Sequence, residues 1–268
     1  MSDTIVIDGL VKTFGGFTAV DQISLSVREG EIFGFLGPNG AGKTTTIKML
    51  AGLLKPDRGA IRIVGHDLAQ EPARCKQATG YIPDRPYLYE KLTGGEFLSF
   101  MASLYQTPAE LMARNVPRLL GLFDLGEWQS HLIESYSHGM RQKLIITAAF
   151  MMEPPLIVVD EPMVGLDPKS ARIVKELIKE HARQGGSVFL STHSLEVAEE
   201  LCDRIAIIVH GRIQSCGDLA SLRQEACLPE SGLEEIFLEL TGAHDLQAVI
   251  QGLRGGAASP GGRHGQPG

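Results

Sequence analysis

The sequence predicts an α/β protein, with a parallel sheet carrying helices on its faces, an antiparallel β part at the N-terminus and an inserted helical subdomain. Three observations carry that prediction. Residues 156–209 alternate β-rich runs (156–160, 187–191, 205–209) with helical stretches (170–184, 195–201), and this alternation builds parallel sheets with right-handed crossovers. A glycine-rich loop at 37–44 lies between an apolar strand-like run, 31–36, and a helical stretch, 45–53. From about 84 to 152 the β signals stop, and helix formers with apolar spacing near 3.6 take over.

The opening segment sets short strand-like runs at 4–7, 23–27, 32–36 and 61–64 between Gly, Asp and Pro turns. The helices of the insertion are expected at 95–105, 109–123 and 139–152, interrupted by Pro108 and by glycine-rich segments. The expected organisation is therefore a discontinuous core of residues 1–83 and 150–225, a helical subdomain at 84–149 and a short helical extension at 226–254. Within the extension, residues 233–240 read as an amphipathic helix packing on the chain's own core. Residues 255–268 are rich in Gly and Pro and poor in apolar side chains, which predicts a disordered tail. No internal repeat is present, so the chain is expected to carry one nucleotide site.

The 268 residues, 43% apolar and 21% charged, suffice for one large core with a smaller subdomain. A net charge of −7 without any Lys/Arg cluster argues against a nucleic-acid partner. Cys75, Cys202, Cys216 and Cys227 lack C-x-x-C spacing, which suggests reduced thiols in a cytosolic protein and not a zinc knuckle or redox pair. Residues 1–8 lack the basic start and apolar core of a signal peptide. The apolar run 144–152 falls far short of the roughly 20 residues that a membrane span needs. Whatever the chain does at a membrane is expected to be done from outside the bilayer.

Gly37-Pro38-Asn39-Gly40-Ala41-Gly42-Lys43-Thr44 fits G-x-x-x-x-G-K-[ST], and Thr45 continues it into the helix. The spacing is specific because each part has a task. Glycines let backbone N–H groups wrap a triphosphate, and the helix behind them turns its positive end to the same anion. Lys43 is placed to reach the β- and γ-phosphates and the Thr44 hydroxyl to bind Mg²⁺. The expected core is thus that of a phosphate-loop NTPase.

The apolar run 156–160 ends in two carboxylates, Asp160 and Glu161. A buried strand delivers Asp160 to the carboxyl end of the sheet, where α/β proteins bind ligands, and there it can share the Mg²⁺ with Thr44. Glu161, one residue on, can act as general base on a water beside the γ-phosphate. Two solvated acids at a strand end are the plainer alternative, and Lys43 upstream weighs against it. Ser137, in Tyr136-Ser-His-Gly-Met-Arg-Gln-Lys-Leu144, reads equally well as a helix N-cap and as a phosphate contact at a helix N-terminus.

Glycine-rich loop, Ser-x-Gly at a helix start, Asp-Glu strand, Gly165-Leu-Asp-Pro168 and Ser191-Thr-His193 follow one another in this order. Over about residues 4–225 the set resembles the ATP-binding cassette family of ATPases. D-x-x-G and N-K-x-D are absent, which sets a GTPase aside. The resemblance implies that Phe14 stacks on adenine, a place where the family often has Tyr. It makes Glu161 the catalytic base, places Asp167 in a loop between two subunits and sets His193 on the γ-phosphate. It makes Ser137, His138, Gly139 and Met140 the signature that closes on ATP held by the other subunit.

Two positions depart from the family pattern. Asp84, after Gly80-Tyr-Ile-Pro83, stands where Gln is usual; it is shorter and charged, and can still bind Mg²⁺ or its water with a different reach. The signature reads Ser-His-Gly-Met in place of Ser-Gly-Gly-Gln, which retains Ser137 and Gly139 for close backbone approach. The wording 136–143, together with 233–241, is similar to the ABC-2 type exporter branch, whose membrane subunits are separate chains.

The implied cofactors are ATP and Mg²⁺. The implied partners are a second ATP-binding subunit, identical or not, and integral membrane transporter subunits. Tyr87, Leu88 and Tyr89 fit either a partner-facing surface or the core of the helical subdomain. The competing function is a cassette ATPase acting on DNA or ribosomes, and the chain shows neither paired cassettes, long coiled-coil arms nor zinc cysteines to favour it. A phosphate-binding regulator without hydrolysis is opposed by the presence of Glu161 and His193.

Overall fold

The computed structural model describes residues 2–242; the expected tail at 255–268 and the end of the C-terminal extension, 243–254, lie outside the described residues. The first half of the chain forms β1 (Asp3–Phe14), β2 (Phe17–Arg28), β3 (Ile32–Leu36), α1 (Lys43–Leu50), β4 (Arg58–Ile63), β5 (His66–Asp67), α2 (Pro72–Gln77) and β6 (Thr79–Ile82). It continues with α3 (Gly94–Leu104), α4 (Ala109–Leu122) and α5 (His138–Met151). The remainder is β7 (Leu156–Asp160), α6 (Pro168–Arg183), β8 (Ser187–Ser191), α7 (Leu195–Leu201), β9 (Arg204–Val209), β10 (Arg212–Gly217), α8 (Leu219–Glu225) and α9 (Leu233–Leu240).

Two sheets result. The N-terminal one is antiparallel, in the order β2-β1-β4-β5. The second has the order β10-β9-β3-β8-β7-β6, parallel throughout except for the antiparallel edge strand β10. Every residue of β3, β7 and β8 is buried, because parallel strands covered on both faces have no solvent side. The fold is the α/β phosphate-loop architecture expected, with its antiparallel β part and its helical insertion.

Helix boundaries shift for local reasons. α1 begins at Lys43, before the expected 45, because Gly42 caps it in the left-handed region. It ends at Leu50, before the expected 53, because Gly52 turns at φ +66° and closes the end with bonds from Gly52 N to Met49 O and Leu53 N to Lys48 O. Pro108 is the N-cap of α4, whereas Pro117 lies inside that helix.

Three apolar clusters hold the layers together. One joins α3, α4 and α5 to a face of the parallel sheet through Ile82, Ile157, Val159, Val188 and Leu190. α5 is buried from Leu144 to Met151, so the insertion shares one continuous core with the sheet. The second lies between α1 and the two sheets, and the third seats α7, α8 and α9 on Leu36, Ile205, Ile207 and Val209. α9 buries Leu233 and Ile236 completely, the amphipathic packing read from its sequence.

One buried polar group gives the fold a pH dependence. The His181 ring packs edge-on against Phe150, with centroids 5.9 Å apart, and its Nε2 has no hydrogen-bond partner among the described residues. Burial holds its pKa below the ordinary value near 6.5, only partly opposed by the Glu153 charge. The unfolded chain therefore takes up this proton at a higher pH than the folded one does. The contribution is fully present above about pH 6.5 and declines as pH falls through the window below it. Thermal unfolding between pH 7.5 and 5 should show this decline, and His181→Leu should flatten it; an unaltered profile would place the dependence elsewhere.

Candidate functional site

The phosphate loop is shaped by glycines that no other residue can replace. At Gly42, with φ +106°, a Cβ would lie 2.3 Å from Ala19 O, and at Gly37 it would lie 2.3 Å from Ile208 O. Gly211 N donates to Ala41 O at 2.9 Å, which ties the loop to the β9–β10 turn. Thr46 N donates to Gly42 O at 2.9 Å, whereas the N–H groups before it in α1 have no intrahelical acceptor and suit an anion. Lys43 Nζ folds back to donate to Gly37 O at 2.6 Å and Pro38 O at 3.2 Å. Burial lowers the Lys43 pKa, and the charges of Glu161 and Asp160 work against that shift. The result is a buried ammonium held by neutral carbonyls, with acidic neighbours at longer range.

Two clefts adjoin this loop. One, of about 300 Å³, is lined by Phe14, Phe17 and Ala19 on the hairpin side and by loop residues from Asn39 to Thr45 on the other. The second, of about 290 Å³, lies between Leu36–Asn39 and Thr192–His193, with Leu195 and Phe237 completing it.

The carboxylates come from the sheet. β6 and β7 pair in parallel with Ile82 opposite Val159, so Asp84 and Asp160 both emerge at the carboxyl end. Asp160 is buried; desolvation pushes its pKa up, with Asp84 and Glu161 adding and Lys43 opposing. The Tyr81 hydroxyl is pushed up to about 12 by burial and by the same two aspartates, and so stays protonated.

β7 and β8 pair with Asp160 opposite Ser191, which carries Glu161 alongside Thr192 and His193. Glu161 N donates to Ser191 O at 2.9 Å, and Glu161 adopts φ +52°. A non-glycine residue there is strained, a feature that gathers at functional sites. Its Oε1 lies 2.7 Å from His193 Nδ1, and its Oε2 accepts from Thr192 Oγ1 at 3.2 Å. The carboxylate is thus aimed from two sides, while His193 remains exposed.

Ser137 caps α5 and accepts from Met140 N at 3.3 Å. The His138 ring packs on Gly165, and a Cβ on Gly139 would come within 3.0 Å of Gly165 O. Lys143 Nζ bonds Asp167 Oδ2 at 2.9 Å, and Asp167 caps α6 by accepting from Ser170 N at 2.9 Å and Ser170 Oγ at 2.6 Å. The Ser170 bonds, with Lys143, hold the Asp167 carboxyl well below the usual range. The predicted site residues therefore divide into two groups. Phe14, the loop 37–45, Asp84, Asp160, Glu161 and His193 gather at one end of the sheet, while Ser137–Met140 and Asp167 share a surface with the Gly165 turn. Among the described residues, none of the second group lines either cleft beside the phosphate loop.

Thr192, Phe17 and Phe237 line the site without having been singled out in the sequence. Thr192 sits inside the Ser-Thr-His run, and Phe17 follows Phe14 across a Gly-Gly turn, the mark of a cross-strand partner. Phe237 had no local signal. Among the described residues no three His, Cys, Asp or Glu side chains converge to hold a metal unaided.

The ABC transporter family profile matches residues 20–164. The chain is 36% identical over 230 residues to the ABC-type transporter ATP-binding protein EcsA of Bacillus subtilis (strain 168), covering 85% of this chain and 93% of EcsA. It is 40% identical over 215 residues to the daunorubicin/doxorubicin resistance ATP-binding protein DrrA of Streptomyces peucetius, covering 80% of this chain and 65% of DrrA. A solved ATP-binding subunit of an ABC transporter superposes with a TM-score of 0.87 at 37% identity, covering 89% of this chain and 99% of that one.

Proposed function

The chain belongs to the ABC transporter family as an ATP-hydrolysing, ATP-binding subunit, and we propose that it dimerises on ATP and drives export through separate membrane-spanning chains. The observation that carries this reading is the meeting of Lys43 and its glycine loop with the Glu161–His193 pair at one end of the parallel sheet. Lys43 exchanges the Gly37 and Pro38 carbonyls for β- and γ-phosphate oxygens, and the first-turn N–H groups of α1 bind the same anion. Phe14 stacks on adenine.

Mg²⁺ fits the donor set, because Thr44 and Asp160 offer hard oxygens and this ion prefers few protein ligands alongside substrate phosphates. Asp84 contributes directly or through a water. When bound, the ion neutralises phosphate charge. Glu161, fixed by His193 and Thr192, takes the proton of the attacking water. His193 turns its exposed ring to donate to a γ-phosphate oxygen.

The separation of Ser137–Met140 and Asp167 from the phosphate loop supports a composite site, in which this surface closes on ATP bound by a second subunit. Triphosphate bridges the two subunits and diphosphate does not, which makes the closed pair a switch. Among the described residues no helix is long and apolar enough to cross a membrane. In the proposed assembly the transport path belongs to partner chains, and the subunit works at the inner membrane face. Tyr87 and Tyr89, 84% and 61% exposed, flank Leu88, which packs on the core. The two tyrosines form the partner-facing surface and Leu88 anchors it.

Tagged Glu161→Gln protein pulled down from detergent-solubilised membranes with ATP present tests this. A multi-span membrane protein should accompany it. Recovery of soluble or ribosomal partners alone, with the protein absent from membranes, would overturn the transport reading.

A further inference from the structure

Two phenylalanines stand exposed at the mouth of the phosphate cleft. Phe14 and Phe17 close the β1–β2 hairpin as directly opposed partners, and the intervening Gly15 and Gly16 both take positive φ. Opposed residues of a two-residue hairpin project from the same face. Both rings, with Ala19, line the cleft that continues into the loop from Asn39 to Thr45.

Burial sets Phe17 apart from the other apolar residues of its strand. Val20, Ile23, Leu25 and Val27 all face the core, whereas Phe17 is 64% exposed and Phe14 48%. Phe14 already has company: Lys12 Nζ lies 5.5 Å from its ring centroid and is held by Asp57 Oδ1 at 2.7 Å. Asp57 also accepts from Thr13 N at 2.7 Å, so the strand bearing Phe14 is pinned. Phe17 has neither a ring nor a cation partner among the described residues. It offers a free π-face in the same cleft as the phosphate cradle.

We propose that Phe17 is a second base-binding residue, forming with Phe14 a two-ring platform for the adenine of the nucleotide whose phosphates the loop holds. The proposal rests on the ATP-binding reading of that loop and adds a residue to it. Hydrophobic and stacking contact is what these three side chains offer a base, since Phe14, Phe17 and Ala19 bring no side-chain donor or acceptor. The glycine turn lets the hairpin tip place both rings beside each other without a bulky residue between them.

Binding of ATP and of inorganic tripolyphosphate, each with Mg²⁺, is to be measured calorimetrically on the full chain and its Phe14→Ala, Phe17→Ala and Phe17→Trp variants. Phe17→Ala should weaken ATP by about 5- to 150-fold, the range of base–aromatic stacking, and leave tripolyphosphate binding essentially unchanged, since the base contact adds nothing to phosphate binding. Phe17→Trp should retain ATP, and its indole emission, after subtraction of the Trp128 background, should respond to ATP and not to tripolyphosphate. Unchanged ATP affinity in Phe17→Ala alongside loss in Phe14→Ala would overturn the proposal and leave the ATP reading intact. Equal loss of both ligands in Phe17→Ala would make the ring a support for the loop and also overturn it. A wild type that binds ATP no better than tripolyphosphate would defeat base recognition by either ring.

Discussion

Glu161→Gln is expected to bind ATP as the wild type does and to hydrolyse it about 10²–10⁴-fold more slowly, the usual share of a general base. The substitution retains size and hydrogen-bonding capacity, so Thr192 and His193 still have a partner and the φ +52° turn is undisturbed. What it removes is the basic lone pair that accepts a proton from water. Steady-state phosphate release measured beside ATP affinity separates the two effects. Binding retained with turnover lost assigns Glu161 the base role, while turnover near wild type would move that role to another group. The bound state should also accumulate as a dimer, because ATP that is not cleaved keeps the composite interface closed.

Lys43→Ala is expected to weaken ATP binding by about 30- to 5,000-fold, the range for truncating one member of a buried, hydrogen-bonded charge pair. Stability without nucleotide should change little. The Lys43 ammonium is desolvated and bound by the Gly37 and Pro38 carbonyls, and its removal relieves that desolvation while releasing two carbonyls beside an open cleft. Thermal unfolding provides the contrast. ATP at about 100 times its Kd stabilises the folded state by about 2.7 kcal/mol, a rise of roughly 5–10 °C for a chain of this size. The wild type should show that rise and Lys43→Ala should not. A variant that shows the full rise would show that the glycine loop and helix end suffice without the ammonium.

The phosphate loop was legible because its chemistry is written in consecutive residues. Gly37, Gly42, Lys43 and Thr44 owe their roles to backbone freedom and side-chain reach over eight positions, and the strand and helix on either side were visible from local pattern. The same holds for Asp160, carried at the end of an unbroken apolar strand. Ser137 was legible only in part. Its spacing announced a helix start, and the structure shows it as the cap of α5, but no local pattern states whether a second subunit's phosphate also meets it.

The pair Glu161–His193 belongs to the tertiary structure. Each residue closes its own strand, 31 positions apart in sequence for the Thr192 bond beside it, and only the register that sets Asp160 opposite Ser191 brings them within 2.7 Å. The left-handed turn at Glu161 has no sequence signature, since glutamate favours other backbone regions. The same distinction applies at the rim, where Phe17 became a site residue through its hairpin partner and Phe237 through the packing of α9 on α7.

By itself the sequence determined the class of ligand and the chemistry available to it, because a triphosphate cradle, a carboxylate suited to a metal and a candidate base are properties of residue type at fixed spacing along one chain. Only the tertiary structure decided how the base is aimed, that His193 and Thr192 hold it, and which further rings line the clefts. The reason is physical: those relations are set by strand register and by burial of both faces of a parallel sheet, which are contacts between segments distant in sequence, and local pattern carries no information about which distant segment a strand will choose.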